Sequence, residues 1–251
     1  MMRDILLSVA RASQRLIPAA GHGGRKDKEH AGSREALLGQ ARFLRRCAFC
    51  DFKFGGVADE CEVHHLDGDH ANNTADNLTL ACVLCHMPHH LDLASRRWAD
   101  SPGTLIYLPE LTQAELSSLL QAIAYTIAVG SAEMKPGEVV TVAEQAGHDI
   151  YPHVVYARLT ARAAQVEGTK NGESQRHQLS SPVVMARVLQ SMSDADYADR
   201  GQLLAGVRYL APLDPIVELA KSWLVDGSGF KNLDLASWRE IAAAAGVANG
   251  G

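Results

Sequence analysis

Cys47-Ala48-Phe49-Cys50 and Cys82-Val83-Leu84-Cys85-His86 are the stretches on which the reading of the fold turns. All five cysteines of the 251-residue chain lie between positions 47 and 85, and six of its eleven histidines between 64 and 90. Two residues between thiolates let one tight turn aim both sulfurs at a single ion, and two such turns complete a closed tetrahedral site. The first residues do not read as a secretory signal, because the apolar run 5–10 is short and contains Ser8, whereas a signal core needs roughly 7 to 15 apolar residues. Cysteines kept reduced read as metal ligands at this spacing. Cys47, Cys50, Cys82 and Cys85 are therefore expected to hold a structural Zn2+. Cys61 is left as a small buried apolar residue, since a tetrahedral site is already full.

Thirty-one residues separate the two pairs, more than the roughly 15 to 20 of a short zinc ribbon, so a hairpin must be inserted between them. The insert contains Val63-His64-His65-Leu66-Asp67-Gly68-Asp69-His70 and Asn72-Asn73, followed by Asn77-Leu78-Thr79-Leu80. Val63 to Leu66 reads as a short strand. Asp67-Gly68-Asp69 supplies a turn, Asn72-Asn73 a second bend, and Leu78-Thr79-Leu80 a returning strand. His64 and His65, adjacent on a strand, point to opposite faces and need different partners. His86 follows the second pair directly, with His89 and His90 about one helical turn beyond.

This layout resembles the HNH, or ββα-metal, nuclease module over about 45 residues, carried by His64-His65, Asn77 and His86 beside the two cysteine pairs. The resemblance implies that His64 and His86 hold a second divalent ion, Mg2+ or Mn2+. It further implies that His65 is a general base and that Asn77 braces the hairpin and orients His65. A neutral imidazole can take a proton from water, and the ion stabilises the leaving oxygen of a phosphodiester. Electrostatics oppose that reading. Residues 40–99 hold six Lys or Arg against eight acids, whereas a nuclease without sequence preference presents a basic face to phosphates.

Composition narrows the class from the other side. With 47% hydrophobic and 21% charged residues and a mean hydropathy of -0.09, the chain falls in the globular range, which excludes wholesale disorder and fibrous repeats. Its longest apolar run, 123–129, contains Thr126 and is far short of the roughly 18 residues that cross a bilayer. The expected address is cytoplasmic. A net charge of -5 hides an asymmetry, because residues 1–46 carry ten Lys or Arg against four acids. That end reads as a solvated basic arm over 1–35, and nucleic acid is a partner it could touch through phosphate neutralisation. Arg42, Arg45 and Arg46 precede the first cysteine pair and are expected to favour its thiolates.

Beyond a connector at 94–104, Thr104-Leu105-Ile106-Tyr107-Leu108-Pro109 reads as a strand, and Thr112-Gln113-Ala114-Glu115 as a helix-starting capping box. Leu116, Leu119, Leu120, Ile123 and Ile127 form an apolar stripe that Gly130 is expected to end. Further helices are predicted over 151–166, 181–192, 194–207, 213–225 and 234–245, with a polar loop over 168–181.

The run Gly103-Thr104-Leu105-Ile106-Tyr107-Leu108-Pro109-Glu110-Leu111-Thr112-Gln113-Ala114-Glu115-Leu116 resembles the signature of the IcmJ/DotN family, components of type IVB secretion coupling complexes. The order of elements agrees: a cysteine pair, a hairpin with Leu66-Asp67-Gly68-Asp69 and Asn72-Asn73, a second pair, and helices ending near Lys221 and Trp223. The resemblance implies a structural role in protein transport. A zinc-stapled adaptor would pack against the coupling ATPase and its companion proteins at the cytoplasmic face of the inner membrane.

The expectation is thus an α+β protein. A basic arm spans 1–35, a small HNH/treble-clef-like zinc module 36–100, a helical region 104–245 and a flexible tail 246–251. Long apolar helices that nuclease chemistry leaves idle favour an assembly component binding a coupling ATPase. A metal-dependent endonuclease with His65 as general base is the alternative, and a DNA-binding remnant using the basic arm is a third.

Overall fold

The computed structural model describes residues 4–10, 36–37, 39, 45–54, 61–70, 72–133, 150–167, 169–170, 173–174 and 178–224. Arg42, the segment 11–35, the helix expected over 234–245 and the tail 246–251 lie outside the described residues. The architecture is α+β. Strand β1 (Cys61–His65) pairs antiparallel with β2 (Leu78–Cys82), Cys61 standing opposite Cys82 and His65 opposite Leu78. Helix α1 (Val83–His86) follows β2 without a break and tightens into a 3-10 turn at Met87–His89, where Pro88 removes a backbone donor. A second such turn and the short helix α2 (Ala94–Arg97) complete the cysteine- and histidine-rich part of the chain.

The hairpin's turn is held by side chains. Asp67 Oδ1 accepts from the Asp69 amide at 2.8 Å and from Asn77 Nδ2 at 2.9 Å, while Asn77 Oδ1 accepts from the Asp67 amide at 3.0 Å. Asn72 Nδ2 donates to Asp67 Oδ2 at 2.8 Å, and the Asn72 carbonyl accepts from Asn77 Nδ2 at 2.8 Å. Asx side chains that bond nearby backbone are the reason such residues dominate turns. They fix the pairing register, on which the facing of both histidines depends.

The first cysteine pair sits in a similarly tight loop. The amide of Cys47 donates to the Phe52 carbonyl at 2.9 Å, and that of Asp51 to the Cys47 carbonyl at 3.0 Å, with Asp51 at a φ of 62°. Arg46 Nη1 meets Asp51 Oδ2 at 2.6 Å. Its guanidinium therefore braces the loop that carries the first cysteine pair.

Strand β3 (Thr104–Tyr107) forms where expected, and its partner is a correction to the reading of 194–207 as one helix. That stretch holds two short helices, α6 (Asp194–Ala198) and α7 (Arg200–Leu203), then turns at Gly206 into strand β6 (Val207–Leu210), which pairs antiparallel with β3. Gly206 has a φ of 78°, and a Cβ there would lie 2.7 Å from the Tyr107 ring. No bulkier residue fits that turn without displacing the aromatic side chain.

The capping box starts helix α3 (Gln113–Glu133) as predicted: the Thr112 amide donates to Glu115 Oε2 at 2.7 Å, and the Glu115 amide to Thr112 Oγ1 at 3.2 Å. The helix then runs past Gly130, which does not stop it. Leu116, Leu119 and Ile123 are fully buried, and so are Ser117 and Ala124 on other sides of the helix. Over 113–128 its apolar side chains are mostly consumed inside the chain. Helix α4 (Ile150–Ala161) and helix α8 (Leu213–Lys221) pack against it, and α5 (Pro182–Ser191) covers the far end of the module. The paired residues Thr169–Lys170 and Glu173–Ser174 form a two-residue ladder, β4 and β5, inside the expected loop.

One core joins the two halves. Trp223, in the 3-10 turn that follows α8, lies with its ring 5.1 Å from Phe52 of the first cysteine loop. The start of the chain joins too. Residues 4–10, expected within a solvated arm, run extended between the module and α6–α7. There the Ser8 amide donates to the Pro88 carbonyl at 2.9 Å and the Leu91 amide to the Ser8 carbonyl at 3.1 Å. Leu7 and Val9 are buried, the Tyr197 hydroxyl bonds the Val9 backbone, and Arg200 Nε donates to the Leu7 carbonyl at 3.2 Å.

Candidate metal centres

The first knuckle loop, the end of β2 and α1 bring Cys47, Cys50, Cys82 and Cys85 together, their sulfurs within 4.8 Å of one another. Cys50 and Cys82 are 3.7 Å apart at sulfur. A tetrahedral ion with metal–sulfur bonds of about 2.3 Å sets its ligands about 3.8 Å apart, so this spacing is that of ligands around one centre. Three of the four are buried. Burial pushes the Cys47, Cys82 and Cys85 thiols up. For Cys47 the bonds from Cys50, Cys82 and Cys85 outweigh it and hold the thiol well below its ordinary value, whereas Cys82 and Cys85 are raised, Cys82 by burial first and Cys85 first by its bonds with Cys47 and Cys50. One negative charge is thus welcome in the cluster and further ones are resisted. Full ionisation of four crowded sulfurs requires a cation, so the donor set fits a metal ion.

Behind this cluster stands a second group. Phe49, 2% exposed, has its ring 5.4 Å from His64 and 5.3 Å from His89. On the histidine side, donor atoms of His64, His86 and His90 lie within 4.8 Å of one another, all three residues buried. His64 Nδ1 is buried and has no hydrogen-bond partner. Burial first, and then the charges of His89 and His86, drive its pKa far below the usual value, so the ring is neutral and able to ligate. His89 is lowered to about 3, by burial first and then by His86 and Arg200.

His86 is oriented from outside the cluster. Its Nδ1 donates to Glu62 Oε2 at 2.5 Å, and the other carboxylate oxygen of Glu62 accepts from Arg97 Nη1 at 2.5 Å. Burial pushes the Glu62 carboxyl up, but the bond and charge of His86 and the charge of Arg97 prevail and hold it at about 2. An ionised carboxylate on Nδ1 fixes the tautomer that leaves Nε2 free for an ion, the arrangement common behind metal-ligating histidines.

The structure thus brings together His64 and His86, as the sequence suggested, and adds His90. The signal for His90 was present: His86 and His90 are four residues apart, a spacing typical of paired histidine ligands. His65 ends β1 and stands apart from the His64, His86 and His90 donor group. Its Nε2 is 2.9 Å from Asn73 Oδ1 and its ring 5.1 Å from that of His70. The asparagine on the His65 ring is therefore Asn73, while Asn77, expected to orient His65, holds the turn. His64, His65, His70, His89 and His90 border a cavity of about 350 Å3, bounded on its other side by Ser8 and Arg200.

Fold and donors define an α+β protein with two groups of Cys and His side chains that could hold metal ions. Comparison with known proteins finds similarity to the type 4 apparatus protein DotN of Legionella pneumophila, 37% identical over 117 residues. The alignment covers 45% of this chain and 52% of DotN, so the chain spans about half the length of the relative it matches. No protein-family model matches the chain.

Proposed function

We propose that the chain is a non-catalytic component of a type IV secretion apparatus, of the type IVB coupling-complex kind. The identity of 37% over 117 residues with DotN carries this reading. In it, Zn2+ at Cys47, Cys50, Cys82 and Cys85 staples a module over 36–100, on which the region from 104 onwards is built. The chain binds a coupling ATPase and companion proteins, and these hold it at the cytoplasmic face of the inner membrane. No helix among the described residues is long and apolar enough to cross a membrane, in keeping with attachment through partners.

The phosphodiester-cleaving alternative draws less support. Imidazole nitrogens suit zinc-like ions, whereas Mg2+ demands oxygen ligands. His64, His86 and His90 are therefore assigned to a second ion of the zinc type, for which Glu62 and the unpartnered Nδ1 of His64 provide the setting. Affinity purification of the full chain from its own cells, followed by mass spectrometry, tests the assembly role. The coupling ATPase is expected among the recovered proteins; recovery of chaperones alone overturns the reading.

A further inference from the structure

Helix α3 contributes more than apolar surface to the sulfur cluster. Gln121, 3% exposed, aims its side-chain amide at the cysteines, with Nε2 3.4 Å from Cys82 Sγ and 3.7 Å from Cys50 Sγ. An amide nitrogen carries two hydrogens, so one group can donate to both sulfurs at once. One turn earlier, the Ser117 hydroxyl is shared between the Gln113 carbonyl of its own helix at 2.9 Å and the Leu84 carbonyl at 3.2 Å, inside the second Cys-x2-Cys segment. The helix is thereby registered against that segment by two polar contacts from one face. Gln121 and Ser117 are both buried polar residues of this helix, and buried polar groups require partners.

We propose that Gln121 is a positioning residue of the four-cysteine metal centre, its amide N–H groups bonding the metal-bound sulfurs of Cys50 and Cys82. This rests on the reading that those cysteines hold an ion. A divalent ion with four thiolates carries two net negative charges in a buried place, and donors from outside the coordination sphere offset that charge. They also draw electron density from sulfur, so the thiolates react more slowly with electrophiles. The arrangement joins the ion to the helical half, because α3 carries the amide and packs against α8.

Zinc affinity, measured by competition with a chromophoric chelator, and the rate of zinc release by N-ethylmaleimide provide the test on the full chain. Gln121→Met keeps the volume and removes the donors; affinity is expected to fall about 10- to 100-fold and release to quicken, with the melting temperature of the loaded protein close to that of the wild type. Gln121→Glu places a carboxylate against thiolates and is expected to lose more. Should either variant fail to fold, the wild type loaded with 113Cd serves: the Gln121 side-chain amide protons are expected to couple to cadmium through the N–H···S bonds. A wild type that binds zinc, with folded variants indistinguishable from it or with no such coupling, overturns the role of Gln121 alone. A wild type that takes up no zinc overturns the metal reading and this inference together.

Discussion

Four sulfurs and three imidazoles lie within one small module, yet the chain treats them differently. The sulfur group comes from two segments far apart in sequence, the Cys47–Cys50 loop and the Cys82–Cys85 turn, and is closed by Gln121 from a third. Its members are crowded thiols that resist full ionisation without a cation. The imidazole group contains a His64 ring that burial keeps neutral and a His86 ring oriented by Glu62, and through His64 and His90 it borders a cavity. A group that needs an ion to be stable belongs to the fold; one that tolerates its absence and faces open space is an accessory to it.

The largest expected effect follows from this contrast. Binding of zinc to thiolates contributes on the order of 10 kcal/mol in small zinc-dependent domains, as much as the whole stability of many proteins. Cys82→Ser is expected to abolish cooperative unfolding by circular dichroism and to leave the chain insoluble. His64→Ala, which removes an imidazole already lacking a hydrogen-bond partner at Nδ1, is expected to retain a cooperative transition. Equal damage from the two substitutions would erase the distinction between the groups.

Between the clusters stands Phe49, and its loss is the next largest effect. The ring touches His64 and His89 while its backbone belongs to the cysteine loop. Phe49→Ala is expected to destabilise the zinc-loaded protein by about 3–5 kcal/mol, the usual cost of a cavity left by a buried aromatic, measured by urea unfolding at saturating zinc. A loss below about 1 kcal/mol would mean that the two groups are packed independently.

How much of this was legible beforehand depends on how local each constraint is. The cysteine pairs announce themselves, because two-residue spacing is imposed by a turn contained in four residues. The hairpin follows from Asp67-Gly68-Asp69 and Asn72, whose side chains bond within the same turn. Strand β6 was not legible: Val207-Arg208-Tyr209-Leu210 is too short to show a period, and its partner β3 lies about a hundred residues earlier. Gly206 was the available hint, since a glycine after a helical stretch marks a turn. Gly130 gave the opposite lesson, for burial of α3 against the core outweighed the roughly 1 kcal/mol by which glycine disfavours a helix interior. The segment 4–10 reads as part of a charged arm by composition, yet Leu7 and Val9 alternate inward, a pattern too brief to separate from chance.

The smallest effect probes how the imidazole group is oriented. Glu62 accepts from His86 on one oxygen and from Arg97 on the other. Glu62→Gln keeps the shape and supplies a single acceptor oxygen, so either the ring or the guanidinium faces an amide NH2. If the guanidinium keeps the oxygen, Nδ1 of His86 no longer has an anionic acceptor and the tautomer that frees Nε2 loses its advantage. Affinity for a second zinc ion, titrated calorimetrically into protein already carrying the first, is expected to fall about 10- to 100-fold, as for other outer-sphere partners of metal-bound histidine. The first ion should be untouched, because the sulfurs do not depend on Glu62. Loss of the first ion as well would show that the two groups share one support, and an unchanged second affinity would leave the carboxylate as a partner of Arg97 alone.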